Sequence, residues 1–175
     1  FIQAAEHNLK LLGIDYDYLV TDCASCESTL HDYPKILDCG ENGLNVVNWG
    51  ELIADKGLKF RFKKPVKVTF HKPCHLADDS FFEQILANCE NVEYVKMENY
   101  DDCCGFSGSF ALKNRKLSME LSKQKAKNIV QTGADYVITT CPACVLGLKQ
   151  GLFLIGGKTK IVTLLEFLAK AESYS

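Results

Sequence analysis

Six of the chain's nine cysteines stand in close pairs: Cys23 with Cys26, the adjacent Cys103 and Cys104, and Cys141 with Cys144. A seventh, Cys74, lies in His71-Lys72-Pro73-Cys74-His75, while Cys39 and Cys89 stand alone. Thiolates are soft ligands, and doublets and Cys-x-x-Cys pairs read as metal binding before disulfides where nothing marks a secreted chain. Three other readings stay open: disulfide pairing, inert buried thiols, and a thiol redox or zinc site at either Cys-x-x-Cys pair. Cys39 and Cys89 read as ordinary core or surface thiols.

Count favours one of these chemistries. Cys74, Cys103, Cys104, Cys141 and Cys144 are five soft ligands, one more than a tetrahedral zinc ion takes, which points to a polynuclear iron–sulfur centre. The doublet opens a glycine-rich loop, Cys103-Cys104-Gly105-Phe106-Ser107-Gly108-Ser109, able to bend tightly and to turn backbone N–H groups toward anionic sulfur. His71 and His75 flank Cys74 and can donate to sulfur, relay a proton, or simply bond nearby loop backbone. Asp101 and Asp102 precede the doublet as turn residues, with a role in tuning the site left open.

For five distant cysteines to meet, the chain must bring the ends of several strands together. Short β-branched or aromatic runs alternate with helical stretches, the signature of βα units in an α/β fold with a mainly parallel sheet. Strands are predicted over 18–21, 44–47, 66–70, 92–95, 136–140 and 160–163, and helices over 78–87 and 112–131, the latter stopped by Gly133. In a parallel sheet the carboxyl ends share one edge, so the cysteines after the strands near 70 and 140 converge there. Pro142 suits the first turn of a helix whose positive end would favour thiolates at Cys141 and Cys144. Residues 57–65, basic and ending in proline, are the predicted linker between two lobes.

An internal repeat organises the chain. Asp17-Tyr18-Leu19-Val20-Thr21-Asp22-Cys23-Ala24-Ser25-Cys26 aligns with Asp135-Tyr136-Val137-Ile138-Thr139-Thr140-Cys141-Pro142-Ala143-Cys144 at a constant offset of 118 residues. Each is a strand running into Cys-x-x-Cys at a helix start. The offset sets Phe1 against Met119, inside the long predicted helix. The expectation is therefore that residues 1–57 are the back half of a first copy, residues 58–175 are a complete second copy, and the chain is a cut piece. Cys23 and Cys26 are weaker ligand candidates because the doublet of their copy is not present.

Totals bound the partners. With 47% hydrophobic residues, 20 basic against 22 acidic side chains and a formal net charge of -2, the chain has a core to bury and no general attraction for nucleic acid or anionic membranes. No apolar run is long enough to span a bilayer and no secretory leader is visible, so a cytoplasmic, reducing location is expected. The lysine-rich side of the 112–131 helix, with Lys113, Arg115, Lys116, Lys123, Lys125 and Lys127, reads as a solvated face or as a dock for an acidic redox partner.

The pattern Cys74, Cys103-Cys104-Gly105 and Cys141-Pro142-Ala143-Cys144, with the His-Lys-Pro-Cys-His run, Gly108 and the Gly133-Ala134-Asp135 turn, resembles the cysteine-rich CCG domain. That family occurs in tandem in the B-subunit of heterodisulfide reductase and in the iron–sulfur subunits of glycolate, lactate and anaerobic glycerol-3-phosphate oxidising enzymes. The resemblance implies a 4Fe–4S cluster of noncubane type on the five matching cysteines, with His71, His75 and Gly105 around it. It implies an oxidoreductase subunit that transfers electrons beside a flavoprotein partner and the N-terminal remainder of its own polypeptide, reaching a membrane only peripherally through partners. Two alternatives stand beside it: a heterodisulfide-type catalytic subunit cleaving a disulfide at the cluster, and a zinc-stabilised interaction module.

Overall fold

A computed structural model describes residues 1–12, 16–38 and 44–174. It is an α/β protein with two mainly parallel sheets, as the alternation of strand and helix signals predicts. The small sheet pairs β1 (Leu19–Thr21) with β2 (Val46–Asn48) in parallel. The larger one has the order β4 (Cys89–Tyr94), β3 (Lys59–Phe70), β5 (Tyr136–Thr139), β6 (Lys160–Thr163), all parallel, and β7 (Glu172–Tyr174) runs antiparallel along the start of β3.

The central strands of the larger sheet read as nearly continuous apolar runs because both faces are covered. Successive side chains point to opposite faces. Ile138 and Val162 thus join Val68, Phe70, Phe82 and Phe167 in one core, while their neighbours Val137 and Ile161 join Ile129, Leu148 and Leu152 in another. The first core is dense in stacked rings, with Phe70 on Phe82 at 4.1 Å and Phe62 on Phe167 at 4.6 Å between centroids. The second core contains Cys104, Cys141 and Cys144. The site is therefore built into packed structure.

The predicted linker is a strand. Lys59–Phe70 forms one continuous β3, in which Phe60 and Phe62 are buried. The basic run alternates lysine and arginine with phenylalanine at the period of a strand, and that pattern outweighs the proline. Pro65 sits where the pairing with β4 shifts register between Arg61 and Val66, a place that does not ask for its missing N–H. The long predicted helix is two, α5 (Gly108–Lys113) and α6 (Arg115–Thr132), separated at Asn114, whose backbone leaves the helical region. α6 ends on Gly133 in the left-handed conformation, as predicted.

The two Cys-x-x-Cys segments sit in similar local settings. β1 leads through Cys23 into α2 (Ala24–Ile36), and β5 leads through Cys141 into α7 (Pro142–Ile155). Cys23 and Cys141 are both helix N-caps with nearly the same backbone angles, φ −145, ψ 109 and φ −142, ψ 117. After β2 and β6 come the short helices α3 (Trp49–Asp55) and α8 (Leu164–Leu168). At the other end, α1 (Ile2–Leu12) falls on the second half of α6 at the same offset. The starts of α2 and α7 touch, where Ala24 N–H donates to the Thr140 carbonyl over 2.9 Å. Among the described residues no helix is long and apolar enough to cross a membrane.

α8 carries Leu164, Phe167 and Leu168 into the aromatic core and begins with a capping box, in which Thr163 Oγ accepts from Glu166 N–H and Glu166 accepts from Thr163 N–H. Thr163→Ala is expected to lower stability by about 0.5–2 kcal/mol, read as a reduced urea midpoint with an unchanged slope.

Candidate metal centre

β3 and β5 are neighbours, with Phe70 opposite Ile138, so the segments leaving their carboxyl ends lie side by side. His71 N–H donates to the Ile138 carbonyl at 2.9 Å, and Lys72 N–H donates to the Tyr100 carbonyl at 3.0 Å. These bonds tie the turn bearing Cys74 both to the strand that leads to Cys141 and to the loop that precedes Cys103. The doublet loop is held from its other side by α6, where Ser122 Oγ donates to the Cys104 carbonyl at 2.9 Å and Ser118 Oγ to the Gly105 carbonyl at 2.7 Å. Gly105 has φ +78, and a Cβ there would lie 2.8 Å from the Ser118 carbonyl oxygen, so no other residue fits this approach.

Cys74, Cys103, Cys104, Cys141 and Cys144 all line one cavity of about 310 Å³. Cys104, Cys141 and Cys144 are buried, whereas Cys74 and Cys103 are exposed at its rim. The eight described cysteines are all free thiols, which leaves disulfide pairing without support among them. Cys89 is set apart: its thiol donates to the Ile85 carbonyl at 3.2 Å, and burial pushes its pKa up to about 11. Cys39 lies outside the described residues. Cys26 is exposed and Cys23 half-buried at the start of α2. Neither lines the cavity.

The three buried sulfurs share protons unevenly. The neighbouring Cys144 thiol lowers the pKa of Cys104 and Cys141 against the opposing effect of burial, while Cys144 itself is driven up by the same two neighbours and by burial. Thiols must lose their protons to ligate a metal, and a bound cation would favour that loss at such a cluster. Cys103 Sγ accepts from Gly105 N–H at 3.3 Å, and the Cys141 and Cys144 sulfurs stand at the N-terminal end of α7. Five sulfur donors round one space fit a polynuclear soft-metal centre better than one tetrahedral ion.

Two histidines diverge in placement. His71 is fully buried, and neither ring nitrogen has a hydrogen-bond partner among the described residues. One of its nitrogens lies with the Cys104 and Cys144 sulfurs in a group whose ligand atoms are all within 4.8 Å of one another. His75 is exposed, with Nδ1 3.1 Å from Ser25 Oγ and 3.9 Å from Cys74 Sγ. Asp101 and Asp102 are exposed in a turn closed by Asp102 N–H on the Asn99 carbonyl, 3.1 Å.

The basic face predicted from Lys113 at the end of α5 to Lys127 in α6 is not solvated throughout. Lys113, Arg115, Lys116 and Lys127 are exposed and Lys123 reaches Glu120 at 2.8 Å, but Lys125 is buried and its ammonium donates to the Asn99 carbonyl. Lys125 stands three and seven residues beyond the buried Ser122 and Ser118, a spacing that marks the inner face. Burial lowers its pKa, opposed by Asp102, Asp101, Cys104 and Cys103. It is a positive charge set under the doublet loop.

Residues 68–149 match the family model of the cysteine-rich domain known as CCG. The chain carries a CCG domain. Over 176 residues, 96% of this chain, it is 37% identical to the B-subunit of the fumarate reductase (CoM/CoB) of Methanothermobacter marburgensis, covering 35% of that protein. An uncharacterized iron-sulfur protein of Methanococcus maripaludis is 32% identical over 84% of this chain and 30% of its own length. Lactate utilization protein A of Bacillus cereus is 25% identical over 95% of this chain and 75% of its own. The chain thus spans about a third of the first two relatives. Among solved structures, glutamate racemase RacE1 of Bacillus anthracis gives a TM-score of 0.48 at 13% identity, covering 97% of this chain and 63% of that one, a level at which nothing about activity carries over.

Proposed function

We propose that the CCG domain holds a 4Fe–4S cluster through Cys74, Cys103, Cys104, Cys141 and Cys144, and that the chain is the electron-transfer region of an oxidoreductase's iron–sulfur subunit. The convergence of five sulfurs on one cavity carries this reading. When bound, such a centre supplies one-electron transfer. The chain's own residues hold thiolates, exclude water with apolar packing around Cys104, Cys141 and Cys144, and set a buried cation at Lys125 against the negative charge of the ligands. Residues 1–57 are proposed as the back half of a first copy, and residues 58–175 as the complete second.

The finer assignment is a 2-hydroxyacid oxidising complex of glycolate or lactate type with a flavoprotein partner in the cytoplasm; a relative named for lactate utilization, matched along 95% of this chain, supports it. A second reading, thiol or disulfide chemistry at the site itself, draws on the exposed sulfurs of Cys74 and Cys103 at the cavity rim. It also draws on the 37% identity to a relative whose name includes CoM/CoB. A zinc module is the third, favoured by the tight group of His71, Cys104 and Cys144.

The deciding measurement is iron, sulfide and zinc content, with the visible spectrum, on protein reconstituted without oxygen. About four irons and four sulfides per chain are expected. One tightly held zinc with no iron would replace the electron-transfer reading by the zinc module.

A further inference from the structure

The wall of the cavity is completed by a residue from the other copy. Ser25, on the first turn of α2, lines the cavity beside the cysteines, with its Oγ 3.6 Å from Cys141 Sγ and 3.1 Å from His75 Nδ1. The helix start that carries it is fixed by the Ala24 N–H bond to the Thr140 carbonyl, one residue before Cys141. A serine hydroxyl has one proton to give and lone pairs to receive. With His75 Nδ1–H donating to Ser25 Oγ, the only direction left for the hydroxyl proton within this trio is the Cys141 sulfur.

The internal repeat makes this bond one-sided. At the offset of 118, Ser25 corresponds to Ala143 and Cys141 to Cys23. Ala143 has no hydroxyl to return to Cys23, so the pseudo-symmetric copies differ at the atom that touches the ligand sulfur.

We infer that Ser25 is a positioning residue of the metal centre in the neighbouring copy, its hydroxyl, oriented by His75, donating across the interface to the Cys141 thiolate and raising the reduction potential of the bound centre. A donor on a ligating sulfur spreads its negative charge, which favours the reduced and more negative state. The inference rests on the iron–sulfur reading. It adds that the centre is not set by the residues of one CCG repeat alone.

The test is the midpoint potential of the iron-loaded chain, followed by visible absorbance. Ser25→Ala is expected to move the potential to a more negative value at unchanged iron content, and Ser25→Thr, which keeps a hydroxyl, to return it toward the unsubstituted chain. Ser28→Ala, one helical step away and outside the cavity wall, serves as the control. An iron-loaded Ser25→Ala chain with an unshifted potential overturns the inference alone, and so does an equal shift in Ser28→Ala. An unsubstituted chain that takes up no iron overturns the cluster reading and this inference with it.

Discussion

Cys104→Ala is expected to abolish iron loading, while Cys89→Ala leaves it unchanged. Cys104 is 3% exposed and stands where the cavity, the second core and the doublet loop meet, and its pKa is lowered by the Cys144 thiol beside it, with burial opposing. Removing it takes away a proposed ligand at the most enclosed part of the cavity. The loss of affinity should exceed the roughly 10- to 100-fold that follows loss of an outer partner. Cys89 is as much a cysteine in composition, yet its sulfur is spent on the Ile85 carbonyl away from the cavity. The apo proteins should differ by only about 1 kcal/mol, because the deleted group is small. The unsubstituted chain should gain stability on loading by mass action, and Cys104→Ala should not. Iron content and urea midpoints of loaded and apo protein check both statements; equal loading of the two variants would remove Cys104 from the site.

What was legible in the sequence was local or repeated. The strand ends at Phe70 and Thr139 could be read from short β-branched runs, and parallel pairing followed from their alternation with helices, so the meeting of Cys74 with Cys141 was predictable. Phe60 and Phe62 carried the signal for a strand, but the basic residues and Pro65 around them read as a linker, because charge and proline are averaged over a segment while burial is decided at every second residue. Lys125 differs from the solvated face for a related reason: its charge points to solvent, but its helical position relative to Ser118 and Ser122 puts it on the inner face. Ser25 could not be read from a motif at all. Its proposed role depends on the contact between the starts of α2 and α7, and only the aligned segments, with Ala143 in the matching place, mark it as unusual.

Gly151→Ala is expected to destabilise the chain by about 2 kcal/mol net and to loosen the proposed metal centre together with the fold. Two effects of opposite sign compete here. Alanine is the better helix former, worth roughly 1 kcal/mol in a helix interior such as that of α7. Against it, a Cβ on Gly151 would lie 2.1 Å from the Ser122 carbonyl oxygen, 2.7 Å from its carbonyl carbon and 3.2 Å from Ala126 Cβ. Those are backbone and Cβ atoms of α6, with no flexible tip to swing aside, so the two helices must part, and overpacking of this kind costs about 1–3 kcal/mol or more. The same Ser122 holds the Cys104 carbonyl through its hydroxyl, while Cys141 and Cys144 ride on α7. Separating the helices therefore pulls the doublet away from the Cys-x-x-Cys pair. A lowered urea midpoint accompanied by faster iron loss is the expected result, since one glycine sets both the helix spacing and the distance between two halves of the proposed ligand set. A variant more stable than the unsubstituted chain would mean that helix propensity wins and that α6 and α7 are not in backbone contact at this point.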